Sequence, residues 1–240
     1  MTTMLSERKT YPIYILLDVS ASMRHSPSGR RAPLAAFNEM IPDLVMSLSD
    51  SRSLAKAAWI SVIAFGDEAE LLCPMTALTD PVHIRSPRDG RQTDYVAVLR
   101  FLHGRIGPDA RAIEASGTGQ SYRTKVAPPL VFFITDGAPY ARDRYQRPDE
   151  WMPYRDRIVG APVSARIAAI GLTGAHPGTL SAIATGRPGG RQNAFIATSG
   201  ATGDGLAGSV ISVIERSIKL SVQAGEMVIE VPDGMRRVDG

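Results

Sequence analysis

Apolar runs of strand length alternate along this chain with stretches whose apolar residues recur at helical spacing. The strand candidates are residues 11–17, 59–65, 129–135, 164–171 and 192–197. Short continuous apolar runs of this kind are typical of strands that are buried on both faces of a parallel sheet. The alternation therefore predicts an α/β fold, with a doubly wound, mostly parallel central sheet and helices on both faces.

Three local features refine this prediction. Residues 69–73 follow the second strand too closely for a crossover helix, which predicts one antiparallel edge strand. Pro42 lies inside an otherwise helical stretch and is expected to kink or split that helix. Residues 106–125 are polar and contain glycine, which predicts a surface loop or a frayed helix end.

Composition narrows the class of protein. The 240 residues suffice for one large domain, and the net charge of +3 is too small to argue for nucleic acid. Cys73 is the single cysteine, so no intramolecular disulfide can form, which fits a reducing compartment. The first ten residues lack a signal-peptide core, and no window reaches the length of a membrane span. We therefore expect a cytoplasmic protein without a membrane segment.

Polar residues alternate directly after the first apolar run. Asp18, Ser20 and Ser22 share one face of an extended chain, at the carboxyl end of the predicted strand. Open α/β sheets bind ligands in the crevice outside these ends. Carboxylate and hydroxyl oxygens are hard ligands of the kind that Mg²⁺ prefers. This stretch therefore predicts the first half of a magnesium site.

Two later positions complete a recognisable set. Thr93 stands at the start of a predicted helix, and Asp136 ends the run 129–135. The segments DVSAS, QTDYVAVL and FFITDG, in this order, resemble the metal-ion-dependent adhesion site (MIDAS) of von Willebrand factor A (VWA) domains. The resemblance covers residues 11–218, which leaves an N-terminal tail of residues 1–10 and a C-terminal tail of residues 219–240.

Within that family the chain is similar to short bacterial A-domain proteins encoded beside tellurium-resistance genes (TerY-like). The segments YPIYILLDVSASM and FNEMIPDL carry this closer likeness. Those relatives are often associated with a protein kinase and a metal-dependent serine/threonine phosphatase. The likeness thus implies an adaptor role in a stress-response or phosphorylation-linked assembly.

The family resemblance also implies a division of roles in the site. Ser20, Ser22 and Thr93 would bind Mg²⁺ directly, with Mn²⁺ or Ca²⁺ as other possible ions. Asp18 and Asp136 would act directly or through water. An open coordination position would accept an Asp or Glu side chain of a partner protein. The competing interpretation is a turn cap for Asp18 and ordinary loop solvation for the serines.

The third hydroxyl has rivals. Thr93 follows the sequence GRQ instead of the glycine pair that is more usual in the family. Thr76, Thr79 and Ser86 are alternatives, but Thr76 and Thr79 do not open a clear helix. We therefore prefer Thr93.

An enzyme is the main functional alternative, namely a Mg²⁺-dependent phosphatase or hydrolase using the same crevice. A haloacid dehalogenase-type phosphatase needs an acidic residue where Ser20 stands, and no lysine lies in a glycine-rich P-loop turn. Asp94 is the nearest candidate for a general base, and it is expected to point into the first turn of a helix. We therefore expect binding and not catalysis.

Arginines are frequent in the loops expected around the metal. They form either an ordinary solvated surface or an electropositive rim that attracts an acidic partner. Nucleic acid is a weaker possibility, because no aromatic residues interleave with them for base stacking. The residues are Arg24, Arg30, Arg31, Arg88, Arg91, Arg142 and Arg144.

Overall fold

A computed structural model describes residues 6–25, 31–119, 121–186, 191–198, 203–224, 228–229, 231 and 233–238. Its strands are β1 (Ser6–Asp18), β2 (Ala58–Phe65), β3 (Ala69–Ala77), β4 (Tyr122–Val126), β5 (Leu130–Thr135), β6 (Tyr140–Ala141), β7 (Arg144–Tyr145), β8 (Arg166–Gly171), β9 (Ala194–Ala197) and β10 (Met235–Arg237). Its helices are α1 (Ala21–Arg24), α2 (Pro33–Asp50), α3 (Arg52–Ala57), α4 (Tyr95–Ser116), α5 (Pro148–Val159), α6 (Pro177–Ile183) and α7 (Gly203–Ala224).

The central sheet has the strand order β10-β9-β8-β5-β1-β2-β3, and β4 pairs with the first residues of β1. Strand β1 lies in the middle, parallel to β2 on one side and to β5 on the other. Its apolar residues alternate between two cores, as a strand buried on both faces requires. Ile15 and Leu17 pack in the core that includes residues of α2 and α7, whereas Leu16 packs in the core that includes residues of α4 and α5. The predicted α/β architecture with helices on both faces is confirmed.

The predicted antiparallel edge strand is also confirmed, because β3 pairs antiparallel with β2. The sequence did not predict the strand at the opposite edge. There β10 pairs antiparallel with β9 through the backbone of Met235–Arg237. A strand-like run was expected at residues 226–231, of which residues 226, 227 and 230 lie outside the described residues. None of the helices that the model describes is long and apolar enough to cross a membrane.

The prediction of a loop for residues 106–125 is wrong. Helix α4 continues to Ser116, and β4 then pairs parallel with Ser6–Thr10 of β1. The polar Asp109 does not end the helix, because its carboxylate is buried and accepts a hydrogen bond of 3.0 Å from the Tyr14 hydroxyl. Helix α2 likewise runs through Pro42 without a break, so the expected split does not occur. Buried residues on both sides of the proline hold that helix against the sheet.

Candidate metal centre

The site is built at the carboxyl ends of β1 and β5. Asp18 ends β1 and is completely buried, and Leu17 beside it is paired with Ile134 of β5. The two carboxylate oxygens of Asp18 accept separate hydrogen bonds. Oδ1 accepts from the backbone N–H of Ser20 at 2.8 Å, and Oδ2 accepts from the hydroxyl of Thr135 at 2.6 Å. The Asp18 carboxylate is therefore fixed in position by its own loop and by the neighbouring strand.

The two serines lie on the short turn that follows β1. Ser20 is buried and Ser22 is exposed. Their hydroxyl oxygens are 3.2 Å apart, and the Ser22 hydroxyl donates to Asp136 Oδ1 at 2.8 Å. Helix α1 begins directly after Ser20, so the chain turns here and brings Ser22 across to the end of β5. These contacts place both hydroxyls between the two carboxylates.

Thr93 reaches the same end of the sheet from another loop. It is buried, and its backbone exchanges two hydrogen bonds with Tyr140, of 2.9 and 3.0 Å. Its hydroxyl oxygen lies 3.1 Å from the point where a Cβ on Gly137 would stand, which places it beside Asp136. The model thus brings Asp18, Ser20, Ser22, Thr93 and Asp136 together, while their role as metal ligands stays a prediction.

The alternative candidates for the third hydroxyl ligand lie away from the two carboxylates. Thr76 is paired with Ile60, close to the start of β2 and thus towards the opposite end of the sheet. Its hydroxyl donates to the carbonyl of Pro74, and that of Thr79 donates to Asp80. Ser86 is exposed in the loop after β3. These positions favour Thr93 as the third hydroxyl.

Replacing Thr93 with valine is expected to weaken Mg²⁺ binding by about tenfold, because a hydroxyl ligand is lost at nearly unchanged volume. Isothermal titration with Mg²⁺ measures the change. Thr76→Val and Thr79→Val are the matched controls and should bind like the wild type. A crystal soaked with Mn²⁺ gives an independent check. An anomalous peak more than about 4 Å from the Thr93 hydroxyl would contradict the assignment, since direct contacts are near 2.1 Å.

Two neighbouring carboxylates are buried in this site, so their ionised forms are energetically unfavourable when no cation is bound. Burial raises the pKa of Asp18 to about 7, the charge of Asp136 adds to this rise, and the hydrogen bonds from Thr135 and Ser20 oppose it. Burial also raises the pKa of Asp136, against the hydrogen bond from Ser22. A divalent cation between these groups would offset both effects. The site is therefore suited to cation binding.

Thr135 is a site residue that the sequence reasoning missed. It is completely buried, its hydroxyl donates to Asp18, and it accepts a hydrogen bond of 3.1 Å from the backbone N–H of Gly137. It orients the carboxylate without being a proposed ligand. The signal was its place directly before Asp136 in FFITDG. Gly174 also supports the site. Its φ is +107°, and a Cβ at this position would lie only 2.9 Å from the carbonyl oxygen of Asp136, so a larger residue would not fit.

The donor set fits a hard cation. It comprises two carboxylates and three hydroxyls, so every candidate ligand atom is an oxygen. The described part of the chain contains no group of three or more His, Cys, Asp or Glu side chains that could hold a metal ion. A site of the softer, nitrogen- or sulfur-rich kind is therefore not found among those residues. Oxygen donors without a histidine or thiolate favour Mg²⁺, Mn²⁺ or Ca²⁺.

The loop arginines are mostly neutralised by acidic neighbours. Arg24 pairs with Asp89 at 2.9 Å and also donates to the carbonyl of Gly90. The other ion pairs are Arg31–Glu39, Arg88–Glu70 and Arg144–Glu150. Arg30 lies outside the described residues. Because four of the six described arginines in this set are ion-paired, these six do not form a continuous electropositive rim.

Comparison with known proteins identifies the family. The family model of the von Willebrand factor type A domain matches residues 13–138, a range that includes all five candidate site residues. The chain belongs to the von Willebrand factor type A domain family. No curated protein matches this A domain.

Solved structures share the fold of this A domain at low sequence identity. Proximal thread matrix protein 1 from the mussel byssus, in a structure with a zinc-occupied MIDAS motif, aligns with a TM-score of 0.51 and 16% identity, over 92% of this chain and 49% of that one. The pilus adhesin SpaC from Lactobacillus rhamnosus GG, in an open conformation, gives 0.60 and 10%, over 88% and 30%. The chain thus spans about half or less of the length of these two proteins.

Proposed function

We propose that this A domain is a metal-dependent protein-binding adaptor. Its ion would be held by Asp18, Ser20, Ser22, Thr93 and Asp136, and an acidic side chain of a partner protein would complete the coordination. The observation that carries the proposal is the convergence of three separate chain segments on one buried pair of carboxylates. These segments are the end of β1, the loop before α4 and the end of β5.

Mg²⁺ is the ion we propose, with Mn²⁺ and Ca²⁺ as alternatives. The all-oxygen donor set supports a hard cation, and a MIDAS motif is occupied by zinc in the mussel thread protein. When bound, the ion supplies a Lewis-acidic point that attracts an anionic oxygen. Three of its candidate ligands are neutral hydroxyls, so they would not cancel its charge. An outside carboxylate is then a favourable further ligand.

The chain's own residues prepare this site. Thr135 and the Ser20 backbone hold the Asp18 carboxylate in one orientation, and Ser22 does the same for Asp136. Such supporting hydrogen bonds fix the direction in which a ligand presents its lone pairs. Tyr140 holds the backbone of Thr93 on both sides of the residue. The site is therefore preorganised both by Thr135 and Tyr140, which are not proposed ligands, and by Ser20 and Ser22, which are.

We propose binding in preference to catalysis, because the nearest candidate base is already engaged. Asp94 caps helix α4 by accepting a hydrogen bond of 2.8 Å from the backbone N–H of Ala97, and it also accepts one from Gln146 at 2.7 Å. It therefore points into the helix turn, as expected from the sequence. The alternative of a Mg²⁺-dependent phosphatase or hydrolase is tested with a general aryl phosphate or ester substrate. If the wild-type protein turns over such a substrate and Asp18→Asn does not, the binding proposal is contradicted.

The proposed setting is the cytoplasm, in a stress-response or phosphorylation-linked assembly. This part rests on the resemblance to tellurium-resistance-associated A-domain proteins. A protein kinase or a metal-dependent phosphatase is the partner class that this resemblance suggests. Nucleic acid and membrane partners are not proposed.

Partner binding is expected to require the metal. The protein is used as bait in an extract of its native host, with Mg²⁺ or with EDTA, and recovered partners are then measured by surface plasmon resonance. Affinity should fall at least tenfold in EDTA, because the partner's carboxylate loses its ligand ion. Asp18→Asn should reproduce this loss, whereas Asp89→Asn, which changes an exposed carboxylate of a nearby loop, should not. Equal affinity with and without EDTA would place the interface on another face.

A further inference from the structure

A small hairpin is attached to the candidate metal centre. It consists of β6 and β7, joined by a turn at Arg142 and Asp143. Tyr140 pairs with Thr93 through two backbone hydrogen bonds, and the backbone N–H of Arg142 donates to the side chain of Gln92 at 2.6 Å. The position of this hairpin is therefore coupled to the loop that carries the third hydroxyl.

The turn of the hairpin has an unusual backbone. Arg142 and Asp143 both have positive φ, of 54° and 59°, although neither is glycine. Two-residue hairpin turns of this kind favour Asn-Gly or Asp-Gly, because a Cβ disfavours the left-handed region. Backbone strain of this kind is concentrated at functional sites. Here it presents the side chain of Arg142 at the tip of the hairpin.

Two guanidinium groups near the hairpin differ from the ion-paired arginines around them. In the part of the chain that the structure describes, no ion pair joins Arg142 or Arg100 to a carboxylate, in contrast to Arg24 and Arg144, and both residues are exposed. Arg100 lies on α4, about one and a half helical turns after its start at Tyr95. Arg144, on β7 of the hairpin, is instead engaged by Glu150 through two hydrogen bonds of 2.6 and 2.7 Å.

These arginines line a common cleft of about 320 Å³ between α4, the hairpin and α5. Its acidic groups are already bonded: Asp94 to the helix start and Gln146, and Glu150 to Arg144. Three guanidinium groups (Arg100, Arg142 and Arg144) face two carboxylates (Asp94 and Glu150) in this cleft, which we call the arginine cleft, so its charged side chains leave an excess of positive charge. An adjoining cleft of about 520 Å³ shares both arginines and adds Asp67 and Glu68 on its far side. Positive charge is therefore concentrated on the side of α5.

An exposed aromatic residue stands beside the arginine cleft. Tyr145 is 70% exposed, and its ring packs edge-on against Tyr140 at 5.4 Å between centroids. Tyrosine and arginine are the residues most enriched at the energetic centres of protein interfaces. Their presence together on one hairpin indicates an interaction surface continuous with the metal centre.

We propose that the arginine cleft binds a second acidic side chain of the same partner segment whose first acidic side chain binds the metal. This inference rests on the proposed function. The guanidinium groups of Arg100 and Arg142, which form no ion pair within the described residues, are complementary in charge to a partner carboxylate. The attachment of the hairpin to Thr93 fixes the distance between the two subsites. Recognition of two carboxylates at a set spacing would give specificity that one metal contact lacks.

Synthetic peptides test the inference. One series carries a single glutamate among glycines, and another carries two glutamates separated by one to five glycines. Binding to the isotope-labelled protein in Mg²⁺ is followed by NMR at the backbone amides of Ser20 and Thr93 and at the guanidinium of Arg142. At the best spacing the two-glutamate peptide should bind roughly fivefold tighter than the single-glutamate peptide, in the range of exposed ion pairs.

Substitutions distinguish the tighter binding of the two-glutamate peptide, called the gain below, from binding at the metal. Arg100→Gln with Arg142→Gln should remove the gain and leave single-glutamate binding unchanged. Arg111→Gln, an exposed arginine further along α4, is the matched control and should keep the gain. A gain that survives the double substitution, or the absence of a gain at every spacing, would overturn the inference. A gain only when phosphoserine replaces the second glutamate would assign the cleft to a phosphopeptide and also overturn it.

The two proposals fail in different ways. If the single-glutamate peptide leaves Ser20 and Thr93 unchanged in Mg²⁺, the proposed function is contradicted. The inference is judged separately, by whether the second glutamate adds binding that depends on Arg100 and Arg142.

Discussion

Replacing Asp18 or Asp136 with asparagine is expected to abolish Mg²⁺ binding while the protein stays folded. Each change removes one of the two charges that attract the ion, and affinity should fall by about 100-fold or more. The fold should survive because both carboxylates are buried beside each other and raise each other's energy when no cation is present. Asparagine keeps the size of the side chain and an oxygen that can accept the hydrogen bond from Ser20 or Ser22.

Isothermal titration with Mg²⁺ and with Mn²⁺ measures the affinity, and circular dichroism measures the fold. Asp89→Asn is the control for charge, since Asp89 lies in a nearby loop and is 80% exposed at its side chain. Its Mg²⁺ affinity should match that of the wild type. Metal binding like that of the wild type in both Asp18→Asn and Asp136→Asn would contradict the site assignment.

The metal-free protein is expected to lose about 2 kcal/mol of stability as the pH rises from about 5.5 to about 8. The pKa of Asp18 is raised from 3.8 in its ordinary state to about 7 in the fold. Between these values the folded protein holds a proton at Asp18 that the unfolded chain has released. Stability from this group is therefore full below the lower value and is lost as the pH rises through about 7.

Chemical denaturation in EDTA at several pH values measures this loss. Asp18→Asn should flatten the pH dependence of unfolding relative to the wild type, because position 18 no longer titrates, and contributions from other groups cancel in the comparison. Mg²⁺ affinity of the wild type should rise by roughly tenfold per pH unit below about pH 7, since the ion must displace the proton. An identical pH dependence in the wild type and in Asp18→Asn would show that Asp18 ionises normally.

Much of the fold could be predicted from local patterns. Residues 59–65 and 129–135 are apolar except for Ser61 and Thr135, and both segments lie in buried strands at nearly the expected positions. Residues 106–125 were mispredicted because their partners, bonded through a side chain or through the backbone, lie far away in the chain. Asp109 is bonded to Tyr14, and Tyr122–Val126 to the first residues of β1. Such long-range contacts do not produce a periodic pattern of apolar and polar residues within the segment itself.

The sequence by itself determined the central strands, the polar residues at their ends and the all-oxygen chemistry of the candidate site. These follow from side-chain periodicity and from the rule that strand ends in α/β sheets form the ligand crevice. The tertiary structure decided that Thr93 and not Thr76 lies beside Asp136, that Thr135 orients Asp18, and which of the described loop arginines form ion pairs. The hydrogen bonds Gln92–Arg142 and Asp18–Thr135 join residues that are 50 and 117 positions apart in the chain. Only the folded chain brings such residues within bonding distance.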